Sequence, residues 1–317
     1  MKAAIVVEAG RAPVWGDFRD PVATAGHALV RVTAASISHV TRSRASGSHY
    51  SSDGAVDFVA GVDGCGLAQD GRRVYFILPE APFGAMAEST LVDERRCLPL
   101  PDDLGEETAA AMAIPGMSSW AALVERAQLR AGETVLVNGA TGASGRLAIQ
   151  IAKHLGAGRV VATGRRTQAF DDLRRLGADA TIALTDDRDA LENALKQEFR
   201  QGIDIVLDYL WGASAETAMV AAAKAGPEAV PIRFVQIGAV SGANITLPSA
   251  ALRSSALQLM GSGIGSVPLP RMLAALHGVL TAAPAAGFEI ATRSVPLADV
   301  GEAWTAADAE ARIVLRP

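Results

Sequence analysis

The stretch VLVNGATGASG, residues 135–145, decides how the chain is read. An apolar run suited to a buried strand passes into GATGASG, where Gly139, Gly142 and Gly145 stand among small residues. Glycine loses more conformational freedom on folding than any other residue, so such a cluster marks a backbone that must turn sharply or come close to something. With a strand ending at Asn138 and a helix beginning near Arg146, the glycines fall where free N–H groups at a helix N-terminus point outward. A pyrophosphate is attracted to such a turn, with Ala140, Thr141, Ala143 and Ser144 completing its lining. The spacing G-x-x-G-x-x-G departs from the commoner G-x-G-x-x-G of dinucleotide-binding folds. A tight turn without a ligand is the alternative for the motif taken alone.

The context strengthens the ligand reading. From Pro115 onward strands alternate with amphipathic helices: TVLVNGA, SGRLAIQIAKHLG, RVVATGRR, AFDDLRRLGA, IDIVLDYLWG, AETAMVAAAKAG and RFVQIGAVSG. This alternation predicts an α/β unit, a doubly wound parallel sheet covered on both faces. Its second strand ends in Gly164, Arg165 and Arg166, about 20 residues after the turn, where a carboxylate would take the ribose hydroxyls of NAD. Two arginines and no carboxylate favour a 2′-phosphate, hence NADPH over NADH. The competing reading is that both arginines begin a solvated helix face.

Residues 1–112 read differently, as short alternating apolar runs such as AAIVV, HALVRVTAASI and RRVYFIL broken by Gly, Pro and Asp. They predict an irregular β-rich unit. After about Ser266 the pattern loosens again, and VPLADVGEAWTAAD and ARIVLRP read as a helix and a strand returning to the first domain. The expected division is therefore discontinuous, residues 1–112 with 268–317 and residues 113–267 between them.

Composition excludes other classes. Among 317 residues half are hydrophobic and 20% charged, an ordinary globular balance too large for one small core. A net charge of −5 without a Lys/Arg run argues against nucleic acid or a membrane surface as partner. A small-molecule substrate is the better expectation. MKAAIVVEAG does not resemble a signal peptide, and Cys65 and Cys97 provide neither a disulfide framework nor paired zinc ligands. A soluble, cytoplasmic protein is expected.

Short-chain dehydrogenases, which place the glycine loop near the N-terminus and use a Tyr-x-x-x-Lys pair, are excluded. Tyr50, Tyr75 and Tyr209 are followed four residues later by Gly54, Pro79 and Ala213. The chain instead resembles the medium-chain dehydrogenase/reductase superfamily, in its zinc-free quinone oxidoreductase branch of zeta-crystallin-like proteins. The resemblance rests on VRVTAASIS, GVDGCG, PFGAMAESTLVDERRCLPLPDDL, AAMAIPGMSSWAAL and ETVLVNGATGASGRLAIQIAKHLGA followed by LGADA. It implies a GroES-like β-rich domain beside a Rossmann domain, with the active site in the cleft between them, and a homodimer.

The resemblance also assigns residues. Ser38 and Val62 stand where zinc-dependent members carry a cysteine and a histidine ligand, so no metal is expected. His39 and His49, ten apart in a polar loop, do not replace that site. Ser38, Ser43 and Tyr50 fall on the substrate side, and Ser38 or Tyr50 is expected to donate a hydrogen bond to the developing oxyanion. Against this, SGSHYSSDG also reads as a plain polar loop. Ser118 matches a threonine that approaches the nicotinamide, or else caps the helix carrying Trp120. Leu210, beside Tyr209 and Trp211, and Ile237, Gly238 and Ala239 are expected to line the cofactor groove, since ligands collect at the carboxyl ends of strands. Asp63, an acidic position beside the zinc site of related enzymes, is read as structural, and Leu259–Pro268 resembles the strand that pairs Rossmann domains in a dimer. The implied activity is hydride transfer from NADPH to a quinone or an activated enone. A carbonyl or alcohol oxidoreductase is the alternative, disfavoured by Val40 where zinc enzymes have a relay Ser or Thr. A non-enzymatic NADPH-binding protein is the other.

Overall fold

The computed structural model of the chain describes residues 1–49, 56–306 and 311–317. It divides into two compact units, Met1–Ile114 with Leu280–Pro317, and Pro115–Val279.

The chain enters the first unit through β1 (Lys2–Val6), β2 (Val14–Asp17), β3 (His27–Ser36), α1 (His39–Ala45), β4 (Phe58–Val59), β5 (Asp63–Ala68), β6 (Arg73–Ile77), β7 (Ser89–Asp93) and β8 (Cys97–Pro99). Helix α2 (Glu106–Ala121) leads out of it. The second unit holds β9 (Thr134–Asn138), α3 (Ala143–His154), β10 (Arg159–Gly164), α4 (Phe170–Arg175), β11 (Ala180–Ala183), α5 (Arg188–Arg200), β12 (Ile205–Asp208), α6 (Gly212–Ala225), β13 (Ile232–Gln236), α7 (Ser249–Arg253) and β14 (Leu257–Gly261). After α8 (Leu269–Ala286), the first unit is completed by β15 (Thr292–Pro296), α9 (Val300–Thr305) and β16 (Arg312–Arg316).

In the second unit all strand pairs are parallel, in the order β11-β10-β9-β12-β13-β14. Burial on both faces explains why VLV of β9 and IVL of β12 carry no outward polar alternation. Leu136, Val161, Val206 and Phe234 of the strands pack against Leu195, Phe199 and Met219 of α5 and α6. The order reverses between β9 and β12, the switch point where a doubly wound sheet opens a crevice at its carboxyl edge.

The first unit is built mainly on antiparallel pairing, with a sheet in the order β15-β16-β3-β5-β6-β8 in which only β15 and β16 run parallel, β7 alongside β3, and a separate sheet β2-β1-β4. One face of the larger sheet packs a core around Val32, Ala35, Ile37, Phe76, Ile313 and Leu315. The return of the C-terminal segment is literal: Val314 of β16 pairs with Ser36 of β3.

The compact units divide at 114/115 and 279/280, inside α2 and α8, where the sequence pattern changes at 112/113 and 267/268. Close packing within the second unit explains the later boundary: a Cβ on Gly278 would lie 2.7 Å from the Trp120 ring, and one on Gly116 would lie 2.7 Å from Val279. The loosened pattern after Ser266 hides the 18-residue helix α8, because Pro270 and Pro284 mask its period.

Candidate functional site

The glycine turn sits at the switch point. Helix α3 starts at Ala143, three residues before the expected Arg146, with Gly142 as a cap that offers no side-chain hydrogen bond. Its first-turn N–H groups therefore lack a side-chain acceptor. Gly139 adopts φ +92°, where an added Cβ would press on the Leu210 side chain at 2.8 Å. A Cβ on Gly145 would lie 2.4 Å from the Gly139 carbonyl oxygen, so the helix start and the turn touch backbone to backbone. Gly142 is exposed, with nothing within 4 Å of where a Cβ would stand. Closed on two sides and open at Gly142, the turn fits a pyrophosphate, with the N–H groups of 142–145 as its donors.

Beneath the turn lies a network that the sequence reading missed. Asn138 Nδ2 donates to Asp208 Oδ1 at 2.8 Å, Thr163 Oγ1 donates to Asn138 Oδ1 at 2.7 Å, and the Gly139 N–H donates to Thr163 Oγ1 at 3.2 Å. Asp208 also accepts from the N–H groups of Leu210 and Trp211, and burial pushes its carboxyl above the usual range against these hydrogen bonds. Three strand ends are thereby tied together. The signal was a polar residue closing each apolar strand, in VLVN, VVAT and IVLD. Trp211 adopts φ +59°, a strained conformation for a bulky residue, held by these same bonds.

The other expected cofactor residues gather at this edge. A Cβ on Gly164 would lie 2.4 Å from Thr141 Cγ2, while Arg166 donates from Nη2 to the Thr141 carbonyl at 2.6 Å. Arg165 beside it is exposed. The N–H groups of Ile237 and Gly238 donate to the Asp208 carbonyl, and a Cβ on Gly238 would lie 2.6 Å from the Tyr209 carbonyl oxygen. Ala239 follows, exposed. Ser118 lies within α2, where its hydroxyl donates back to the Pro115 carbonyl at 2.8 Å, so it does not cap that helix. Its neighbour Ser119, missed by the sequence reading, is fully buried, shares a 2.7 Å hydrogen bond with the Tyr209 hydroxyl and reaches the Ser144 carbonyl at 3.4 Å. Burial pushes the Tyr209 phenol up to about 12.

In the first unit Ser38 is buried at the start of α1, where Oγ accepts from the Thr41 N–H at 3.1 Å and shares a 2.9 Å hydrogen bond with Thr41 Oγ1. If Thr41 donates, the Ser38 proton is left for another acceptor. Tyr50 lies outside the described residues. The Ser43 hydroxyl donates to the Val40 carbonyl at 3.2 Å. Burial, with Arg312 and Arg42 nearby, holds the His39 imidazole below its usual range. Asp63 is fully buried and accepts from the Tyr75 hydroxyl at 3.0 Å, and burial pushes its carboxyl up to about 7 against that hydrogen bond and the Arg312 charge. Where zinc ligands would stand, Ser38 offers a neutral hydroxyl in place of a thiolate and Val62 has no donor, and among the described residues no three His, Cys, Asp or Glu stand together as ligands.

A parallel sheet of this order carrying such a turn, in one chain with a separate antiparallel β unit, defines a two-domain dehydrogenase/reductase of the Rossmann class. Residues 143–278 match the family described as zinc-binding dehydrogenase. The chain is 29% identical over 348 residues to the probable NADPH-dependent quinone reductase tdiC of Emericella nidulans, covering 96% of each. It superposes with a TM-score of 0.83 and 25% identity on the quinone oxidoreductase of Thermus thermophilus, studied also in complex with NADPH, covering 100% of both chains. With a structure described as an NAD-dependent alcohol dehydrogenase the TM-score is 0.86 at 25% identity, again covering 100% of each chain. The matched family model, the relative and the solved structures support the medium-chain dehydrogenase/reductase superfamily, of quinone-oxidoreductase type.

Proposed function

We propose that this oxidoreductase uses NADPH to reduce a quinone or an activated enone without a metal ion. The observation that carries the reading is the end of β10, where Arg165 and Arg166 stand beside the glycine turn and no carboxylate takes the ribose position. NADPH is the cofactor, in keeping with the reductases of Emericella nidulans and Thermus thermophilus described above. It supplies the hydride when bound.

The chain's own residues then bind and orient. Gly139–Gly145 receive the pyrophosphate on backbone N–H groups. Arg166 fixes the turn through Thr141, which leaves the exposed Arg165 for the 2′-phosphate. Leu210, Ile237, Gly238 and Ala239 line the groove, and Ser118 faces the nicotinamide. Ser38 directs its hydroxyl to the substrate oxygen on which charge develops, with Tyr50 as the alternative donor. The missing zinc ligands support a reaction in which positioning, rather than a Lewis acid, lowers the barrier.

The likeness to an NAD-dependent alcohol dehydrogenase favours carbonyl reduction as the second reading. The reading also includes a homodimer in the cytoplasm. The exposed Leu259 on the edge strand β14 supports the dimer, and two free cysteines suit a reducing compartment. Among the described residues no helix is long and apolar enough to cross a membrane.

A side-by-side titration with NADPH and NADH, followed by quinones, enones and aldehydes while reduced-nicotinamide absorbance is recorded, tests the reading. Tight NADPH binding with oxidation by a quinone or enone is the expected result. Oxidation only by aldehydes would move the assignment to carbonyl reduction, and binding without turnover to a non-enzymatic role.

A further inference from the structure

The face of the larger first-unit sheet opposite its apolar core carries a row of polar side chains. Cys65 pairs with both Ala34 and Tyr75, and Val314 pairs with Ser36. Directly opposed residues on antiparallel strands point to one side, as do residues two apart on one strand. Continuing the register by two residues sets Asp63 opposite Ser36 and Arg312 opposite Ser38. Arg312, Ser36, Asp63 and Tyr75 therefore share one face across β16, β3, β5 and β6, while Ala35, Ile37, Phe76, Ile313 and Leu315 fill the core on the other. The row starts beside Ser38.

Three buried atoms in this row have no hydrogen-bond partner among the described residues: Ser36 Oγ, Asp63 Oδ1 and Arg312 Nε. Each such atom costs stability unless something fills its hydrogen-bonding capacity. One hydroxyl, one carboxyl and one guanidinium N–H on neighbouring strands together offer the donors and acceptors that a buried water needs. Arg312 is held in place meanwhile, since Nη1 donates to the Ile37 carbonyl at 3.1 Å.

We propose that Ser36, Asp63 and Arg312 bind an internal water, and that through it and Ser38 the Asp63 carboxyl supplies the proton consumed when the substrate is reduced. The proposal rests on the reading of the chain as an NADPH reductase with its substrate at Ser38. Reduction of an enone or quinone takes up one hydride, carrying both electrons, and one proton. The O–H bond at Asp63 Oδ1 breaks as its proton passes to the water. As the Thr41 hydroxyl turns away from Ser38 Oγ, the water passes a proton to the lone pair so freed, and the Ser38 proton forms the new O–H bond on the substrate. Asp63 is left as a carboxylate that accepts from Tyr75 and faces Arg312, until a proton from solvent restores it. Asp63 is thus a positioning residue for the proton, and Ser38 is the catalytic residue that touches substrate.

The groups that set the Asp63 proton are Tyr75 from β6 and Arg312 from β16, while Asp63 in turn raises the buried Cys65 thiol of β5. Arg42 and His39 of α1 act on Arg312 or are acted on by it, and Glu106 of α2 and Arg73 of β6 act on Cys65. Burial is the largest influence and keeps the carboxyl protonated up to about 7. The donor form is therefore present at neutral pH and lost above it.

The test compares wild type, Asp63→Asn and Tyr75→Phe. Wild-type kcat should fall as pH rises through the neutral range and show a solvent isotope effect. Asp63→Asn should lower kcat by about 10²-fold or more and abolish that limb, while KM for NADPH stays unchanged. Tyr75→Phe removes a bond that stabilises the carboxylate, so the limb should move to higher pH. Without turnover, a carboxylic-acid C=O infrared band should titrate over the same range and be absent from Asp63→Asn. Turnover with an unchanged pH profile in Asp63→Asn, or no such band in wild type, overturns the proposal alone. No NADPH oxidation by any quinone, enone or aldehyde overturns the reading beneath it as well, even with the band present.

Discussion

At the scale of single residues, neighbours in sequence have unlike tasks. Arg166 is anchored on the Thr141 carbonyl at 2.6 Å, whereas Arg165 is exposed. Arg165→Ala should weaken NADPH by roughly 10- to 100-fold and leave NADH nearly unchanged, the value of one charge-assisted phosphate contact. Arg166→Ala should weaken both coenzymes, because it loosens a turn that both use. Parallel fluorescence titrations of the two variants with each coenzyme separate these outcomes. Gly145→Ala is expected to be harsher. Its Cβ would sit 2.4 Å from the Gly139 carbonyl and 2.5 Å from Ala140 Cα, both backbone atoms that cannot rotate away. Binding of both coenzymes should be lost together with about 1–3 kcal/mol of stability, read by calorimetry and urea unfolding.

At the scale of elements, the Rossmann strands were legible because burial on both faces writes them as unbroken apolar runs, and the glycine turn because no other residue suits Gly139 or Gly145. Helix α5 was overlooked although Leu191, Leu195 and Phe199 recur at helical spacing, since DRDALENALKQEFR is polar elsewhere and reads like a loop. The start of α3 was misplaced because glycine and alanine carry no capping side chain by which to find it. Asn138, Thr163 and Asp208 escaped notice for a different reason: each is unremarked alone, and only the parallel register sets Asn138 beside both others. Ser119 and the polar row from Arg312 to Tyr75 likewise exist only across elements far apart in sequence. Asn138→Ala tests the network. It removes the donor to Asp208 Oδ1 and the acceptor of Thr163 Oγ1, both buried, and should cost about 1–3 kcal/mol. Cofactor binding should fall as well, since the Gly139 N–H rests on Thr163. A merely local role would appear as lost urea stability with unchanged coenzyme affinity.

At the scale of the whole molecule, the dependence of folding on pH and on metal follows from the same buried groups. Prolonged treatment with a chelator should leave turnover unchanged, as expected of a chain whose first-unit site offers Ser38 and Val62 where zinc would need ligands. The pH dependence has a definite sign. Asp63 is raised from an ordinary 3.8 to about 7 in the folded chain, chiefly by burial. Between these values the unfolded chain releases a proton that the folded chain retains, so stability falls as pH rises across that window and levels off above about 7. The full span of the effect is at most about 4 kcal/mol. Other carboxylates act in the opposite sense, among them Asp93, held low by hydrogen bonds from Arg95, so wild type alone does not isolate it. Asp63→Asn does, because an amide keeps an acceptor for Tyr75 and has no proton to release. Urea unfolding of both proteins from pH 4 to pH 8 should show the variant gaining on wild type steadily up to about 7 and in parallel with it above. A constant difference across the range would mean that Asp63 is ionised throughout, and the variant would then lack turnover for want of a charge rather than of a proton.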